Sequence, residues 1–296
     1  MTPAPDAMPV APVWIPTPED RVFEVAGADA RDFLHRMLSQ DVKGIAPGDG
    51  RPSLFLTVRG RVVGDPFVWN LGGGIFLTLD RHAAEKTIPA LERYVIADDV
   101  AFRDVTAAWT TGIAPAAPAT GALPGVHSAA FSVGQAASRR LIAPAAMTKP
   151  IEDAMRSIGA RELEGGTLAA YRVDVGAPWF GFEIDDRILP NEAGLDASIS
   201  WTKGCYLGQE PVVMAKHRGH PPTRLVRVEL EGRDLPMYEA PLLDGAKPVG
   251  RVTTTARSAD GARVRALGFV RYDLGAVGRA LTLVGGRAAR IEAVLA

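Results

Sequence analysis

The stretch Lys203-Gly-Cys-Tyr-Leu-Gly-Gln-Glu210 holds the single cysteine of a 296-residue chain. It sets that thiol between two glycines, with a cation before it and a carboxylate after it. Glycine serves where the backbone takes a positive φ or approaches another segment closely. A thiol on such a turn is reachable, and Lys203 stands near enough in sequence to favour the thiolate. An inert cysteine in a tight turn accounts for the same eight residues, because free cysteine is among the most buried residue types.

Downstream, Lys216, His217, Arg218, His220 and Arg224 follow, and Glu210 is the only acidic residue between Lys203 and Arg227. Clustered cations suit an anionic ligand through charge-assisted hydrogen bonds; a solvated basic loop is the alternative. Cys205, His217 and His220 have the chemistry of zinc or iron ligands. A His-x-x-His on a proline-flanked loop has no enforced common face, however, and a fourth ligand is unassigned, so no metal site is assigned. Pro221-Pro222 makes a stiff boundary. Beyond it LVRVEL, PLLDG, VGRVTTTA, ALGFVRYD, ALTLVGG and ARIEAVL alternate between turn residues, which reads as an all-β module, a small barrel or sandwich.

Upstream, RVFEV at 21–25 alternates like a strand, and Phe33, Leu34, Met37 and Leu38 share a helical face behind Asp29 as N-cap, with Gly44 and Pro47 as the stop. Three strands follow, over 53–58, 61–70 and 75–79, turning at Arg59-Gly60 and at Gly72-Gly73-Gly74. A helical segment carries Ile88, Leu91 and Val95, with Pro89 expected to begin a second helical piece. Strands at 129–133 and 140–142, a helix from about Pro150 to Gly159 and another over 162–171 fill the middle of the chain. Mixed strands and helices argue for an α+β arrangement rather than a doubly wound sheet. No G-x-G-x-x-G follows a strand and no G-K-[ST] occurs, so nucleotide sites lack support, and no G-x-S-x-G elbow is present. Carboxylates beside glycines are better candidates for a base or for holding N–H donors of a heterocycle: Asp65 after GRVVG and Asp174 in YRVDVG, both read as strand-end positions.

With 47% hydrophobic and 23% charged residues and a net charge of −1, the chain reads as an ordinary globular protein without the field that would favour nucleic acid or an acidic membrane. One cysteine excludes an intrachain disulfide and an all-cysteine metal cage within one chain. Residues 1–19 are rich in proline and lack the regions of a signal peptide, so they are expected to form a flexible leader. The uncharged run between Asp104 and Arg139 is broken by Pro115, Pro118 and Pro124 and does not read as a membrane helix. A cytoplasmic location is the expectation.

These residues together resemble a known family. KGCYLGQE is similar to the signature of the YgfZ proteins, folate-binding relatives of the aminomethyltransferase (T-protein) of the glycine cleavage system. GFEIDDRILPNEAGLDASISW, VFEVAGADARDFLHRMLSQDV, LTVRGRVVGDPFVW and LERYVIADDVAFRDVT extend the resemblance over nearly all of the chain from about residue 20. It implies a three-domain, cloverleaf-like α+β fold with a small C-terminal β-barrel: a leader 1–19, an N-terminal domain 20–109, a middle domain 110–222 carrying the motif, and the barrel 223–296. It implies a central pocket for tetrahydrofolate or another reduced folate. By resemblance Asp65 matches the T-protein's catalytic carboxylate and Asp174 the carboxylate that anchors the pterin. Lys203, Tyr206, Gln209, Glu210, Arg218 and Arg224 are the further cofactor-binding candidates, the basic segment facing the anionic folate tail. The implied function is a folate-binding accessory protein for assembly or repair of iron–sulfur enzymes, with Cys205 as working group and iron–sulfur client or assembly proteins as partners. A folate-dependent aminomethyltransferase or amine demethylase, and a non-catalytic folate-binding protein, are the alternatives.

Overall fold

The computed structural model describes residues 12–116, 123–217, 219–258, 261 and 263–296. The N-terminal unit is a five-stranded antiparallel sheet in the order Gly50–Pro52, Phe67–Asn70, Ile75–Leu79, Arg21–Ala26, Ala101–Asp104. A small ladder of Phe55–Leu56 with Val62–Gly64 stands beside it. Two helices, α1 (Ala30–Met37) and α2 (Arg81–Glu92), cover one face. Phe33 and Leu34 are fully buried there, as their helical spacing requires, and so is Leu38 just past the helix end.

Two local expectations give way. α1 ends at Met37, with Leu38 extended, well before Gly44. The cause is a side chain from 165 residues away, described below. Pro89 lies inside α2 instead of opening a new helix. Its ring is exposed, and the carbonyl that loses an amide partner belongs to exposed Glu85, while Ile88 and Leu91 stay on the buried face.

The second sheet runs His127–Val133, Ala136–Pro144, Trp109–Pro115, Val13–Pro16, Arg161–Glu162, the last pair parallel. Val13–Pro16 falls within the stretch expected to be a flexible leader, yet it is an interior strand. Trp14 is buried over Gly112, where a Cβ would come within 2.0 Å of the indole. Burying a Trp and an Ile outweighs the extended, proline-rich character of the segment; residues 1–11 lie outside the described residues. The two sheets meet face to face through Val22, Phe67, Trp69, Ala129 and Ile142. This is why Phe67–Asn70 is buried at all four positions instead of alternating. Helices α3 (Thr148–Ser157) and α4 (Gly165–Val175) complete this unit.

α5 (Gln209–His217) leads towards the C-terminal unit. That unit is a closed barrel in the order Thr223–Leu230, Val264–Arg271, Lys247–Arg257, Pro241–Asp244, Ala280–Leu283, Ala288–Val294, filled by Val226, Val228, Leu242, Val252 and their neighbours. The three units are not loosely strung. One buried cluster includes Phe33 and Leu77, Val173 and Phe180, and Leu225 and Phe269. Glu183, fully buried, accepts from Arg172, from the Trp179 amide at 3.0 Å, and from the Thr254 amide and hydroxyl at 3.1 and 2.7 Å. It therefore ties α4, the 177–184 loop and the barrel together. No helix among the described residues is long and apolar enough to cross a membrane.

Candidate functional site

A cavity of about 220 Å³ opens where the two sheets meet the 177–198 segment. Phe67 and Leu79 come from the N-terminal sheet, Ile113 and Phe131 from the second sheet, and Trp179 and Phe180 from the loop held by Glu183. Its charged groups are Asp20, Asp65, Asp80 and Arg140.

Asp65 follows the strand Val62–Gly64, and a Cβ on Gly64 would lie 1.9 Å from the Thr87 hydroxyl of α2. The glycine lets that strand end press against the helix, which places Asp65 on the cavity. Burial pushes the Asp65 carboxyl up to about 7, and the nearby charges of Asp80 and Asp20 act in the same direction. Asp80 caps α2, accepting from the His82 amide at 2.8 Å. Asp20 accepts from Arg140 and, at 3.0 Å, from the Thr111 hydroxyl; burial raises its carboxyl and the Arg140 charge opposes the rise. A carboxyl that titrates near neutrality suits proton transfer or hydrogen bonding to a ring N–H.

Of the two carboxylates singled out in the sequence, only Asp65 lines this cavity. Asp174 lies on α4, not at a strand end. Helical spacing turns Arg172 inward to Glu183 and leaves Asp174 exposed on the outside, where its carboxylate accepts from Arg265 at 3.1 Å. Sequence reasoning missed Asp20, Asp80 and Arg140. Asp20 and Asp80 flank the paired residues Arg21 and Leu79, so a known register would have brought them together. Arg140 carried no local signal.

The Lys203–Glu210 motif is built differently. Its backbone is strapped along the end of α1: the Ser200 amide donates to the Ser39 carbonyl at 3.0 Å and the Leu207 amide to the Arg36 carbonyl at 3.2 Å. The Lys203 ammonium donates to three carbonyls in the last turn of α1 and just past it, those of His35, Leu38 at 2.7 Å and Gln40 at 3.0 Å. This ends the helix at Met37. The same contacts direct Lys203 to the backbone rather than to the thiol, and burial lowers its ammonium to about 8. Tyr206 is buried, with its phenol pushed up to about 12 by burial. Gly208, at φ 77°, lies against the Arg59-Gly60 turn, where a Cβ would sit 2.3 Å from the Thr57 carbonyl. Gly204 meets no such constraint. The effect is to hold Cys205 exposed on an anchored loop.

None of Lys203, Cys205, Tyr206, Gln209 and Glu210 lines the cavity. Among its described residues the basic segment does not form an open anion cradle either. Lys216 pairs with Asp196 at 2.6 Å and lies 3.6 Å from the Trp201 ring centre. Arg224 donates to the carbonyls of Ala296 at 3.0 Å and Gly275 at 3.2 Å. Arg218 lies outside the described residues. His220 stacks on Tyr272 with ring centres 4.3 Å apart. Among the described residues no three His, Cys, Asp or Glu side chains stand together as a metal site.

Two packed α+β units that meet at a cavity, joined to a C-terminal barrel, make up the architecture. The structure superposes on glycine cleavage system aminomethyltransferase T from Bartonella henselae with a TM-score of 0.79, covering 96% of this chain and 85% of that one at 15% identity. Residues 20–115 match the GCVT N-terminal domain. An aminomethyltransferase of Thermosynechococcus vestitus is 27% identical over 143 residues, 48% of this chain and 39% of the relative, so the match spans less than half of that protein. An iron–sulfur cluster assembly factor IBA57 homolog, mitochondrial, of Phaeosphaeria nodorum is 27% identical over 232 residues, 74% of this chain and 55% of the relative. The likeness to the GCVT N-terminal domain is thus carried by residues 20–115, and the chain as a whole shares the fold of the Bartonella henselae aminomethyltransferase.

Proposed function

We propose that this protein is of the YgfZ type: it binds a reduced folate in the central cavity and acts as an accessory factor in assembly or repair of iron–sulfur enzymes, with Cys205 as the working group. The observation that carries the reading is the contrast between an anchored loop and the exposed thiol at its tip. The name of the IBA57 homolog supports the same direction. With one thiol per chain, a four-thiolate cluster needs ligands from elsewhere, so Cys205 works on a cluster or client delivered to it.

The cavity suits the head of a folate. At about 220 Å³ it falls below the roughly 300–1,000 Å³ of pockets that enclose a drug-sized molecule, so it takes a ring system and leaves the tail outside. Aromatic walls suit a flat ring and acidic groups suit its N–H donors. A bound reduced folate would supply a one-carbon carrier. Asp65 would accept a hydrogen bond or a proton from it, and Trp179 and Phe180 would exclude water. Calorimetry with tetrahydrofolate should show binding, and a strain lacking the gene should regain iron–sulfur enzyme activity with wild type but not with Cys205→Ser. No detectable binding at millimolar ligand removes the folate part. Full rescue by Cys205→Ser removes the role of the thiol.

A second reading, folate-dependent aminomethyl transfer, draws on Asp65, whose carboxyl at about 7 is matched to base work near neutral pH. Release of ammonia from an aminomethyl-lipoyl carrier, with methylenetetrahydrofolate as product, would put this reading first.

A further inference from the structure

Asp20 and Arg140 stand on the cavity wall without a part in that function. Arg140 comes from the strand Ala136–Pro144, in register with apolar Ala129 on one side and Ile113 on the other. It is 8% exposed. One of its amino groups donates to Asp20, while its Nε, also buried, has no partner among the described residues. A guanidinium carries five N–H donors, and a buried one left unpaired is costly. Arg172 also has an Nε without a partner, so what distinguishes Arg140 is its place on the cavity wall, where an acceptor on a bound ligand would complete its pairing. Asp20 is 8% exposed and its carboxylate, held by Arg140 and Thr111, has about four acceptor sites in all, so it retains capacity for a further donor. The wall thus offers an N–H donor beside a carboxylate acceptor.

A lactam presents the complementary pair, a ring carbonyl oxygen next to a ring N–H. We propose that Arg140 and Asp20 form a lactam-reading pole of the cavity, Arg140 donating to the 4-oxo oxygen of a pterin-type head and Asp20 accepting from the adjacent N–H. The inference rests on the folate reading and gives it a specificity. A 2,4-diamino head places a donor where the oxygen would be, so it meets the guanidinium donor to donor, and the site rejects it by leaving buried groups unpaired.

The test is calorimetry on the full chain with three ligands: tetrahydrofolate, 6-methyltetrahydropterin, and the 2,4-diamino counterpart of that head. Wild type should prefer the lactam head by at least about tenfold. In Asp20→Asn/Arg140→Gln the two amides can each turn to donate or accept, so the preference should fall to within about threefold. Asp174→Ala, on the outer face of α4, should keep it. The wild-type comparison needs no variant, so the inference stays testable if the double variant does not fold. Binding of tetrahydrofolate with no preference between the two heads, or a preference that survives in a folded double variant, overturns the role of this pair and leaves the folate reading standing. Absence of binding by all three ligands overturns both.

Discussion

The central cavity and the Lys203–Glu210 loop treat their polar groups in opposite ways. On the cavity wall, Asp65 is held near neutrality in its titration and Arg140 keeps an unpaired Nε. In the loop, the Lys203 ammonium meets three backbone carbonyls and the Leu207 amide ties the segment to α1 at Arg36. The cavity leaves donors and acceptors open for a ligand. The loop uses its Lys203 ammonium for anchoring and leaves one thiol outside. The cavity reads as a place where something binds; the loop reads as a mount that holds Cys205 in a set position.

The contrast can be broken at four points. The largest effect is expected at Glu183, which holds the cavity loop against the barrel. Glu183→Ala leaves Arg172 as an unpaired buried cation and should cost about 3–5 kcal/mol in denaturant unfolding, with loss of ligand binding. A variant of wild-type stability would show that the clamp is not needed. Next is Lys203→Ala, which uncaps the end of α1; a loss of about 2–3 kcal/mol is expected from the midpoint of urea unfolding. Little change there would return Lys203 to the role of tuning the thiol.

A smaller effect, of definite sign, comes from Asp65. Its carboxyl titrates at about 7 in the fold against an ordinary value of 3.8. Between these values the folded state holds the proton more tightly than the unfolded chain, so this group's contribution to stability is present at low pH and is lost as pH rises to about 7. Asp65→Asn should therefore raise the Tm relative to wild type at pH 8 and leave it nearly unchanged near pH 4. Equal shifts at both pH values would contradict the raised carboxyl. The smallest stability effect belongs to Cys205→Ser, within about 0.5 kcal/mol because the side chain is exposed. Coupled with loss of complementation, that result would separate function from folding at this residue. A clearly destabilised serine variant would point instead to an inert packed cysteine.

The legibility of the two regions differs for a physical reason. The loop is contiguous, so its glycines, cation and thiol were visible as one motif, and the close approach at Gly208 is of the kind that glycine signals. What the loop touches was not visible, and the proximity of Lys203 to Cys205 in sequence misled about the direction of its ammonium. The cavity draws residues 20, 65 and 80 from strand ends and 140 from the middle of a strand, and only Asp65 stood out, because of its preceding glycine. Asp174 failed for a local reason: reading its segment as a strand put the carboxylate on the wrong side, whereas a helix turns it away.

Alternation and spacing along the chain were enough to place the α+β class, the short strands of the barrel and the inward face of α1, because burial of apolar side chains follows the period of the backbone. They were enough to single out Cys205, because it has no second copy in the chain. Three-dimensional packing alone made Val13–Pro16 an interior strand, ended α1 at Met37 and assembled the polar wall of the cavity. Each of these depends on partners far away in sequence, a sheet for Trp14, an ammonium for the α1 carbonyls, a guanidinium for Asp20, and such partners leave no trace in local pattern.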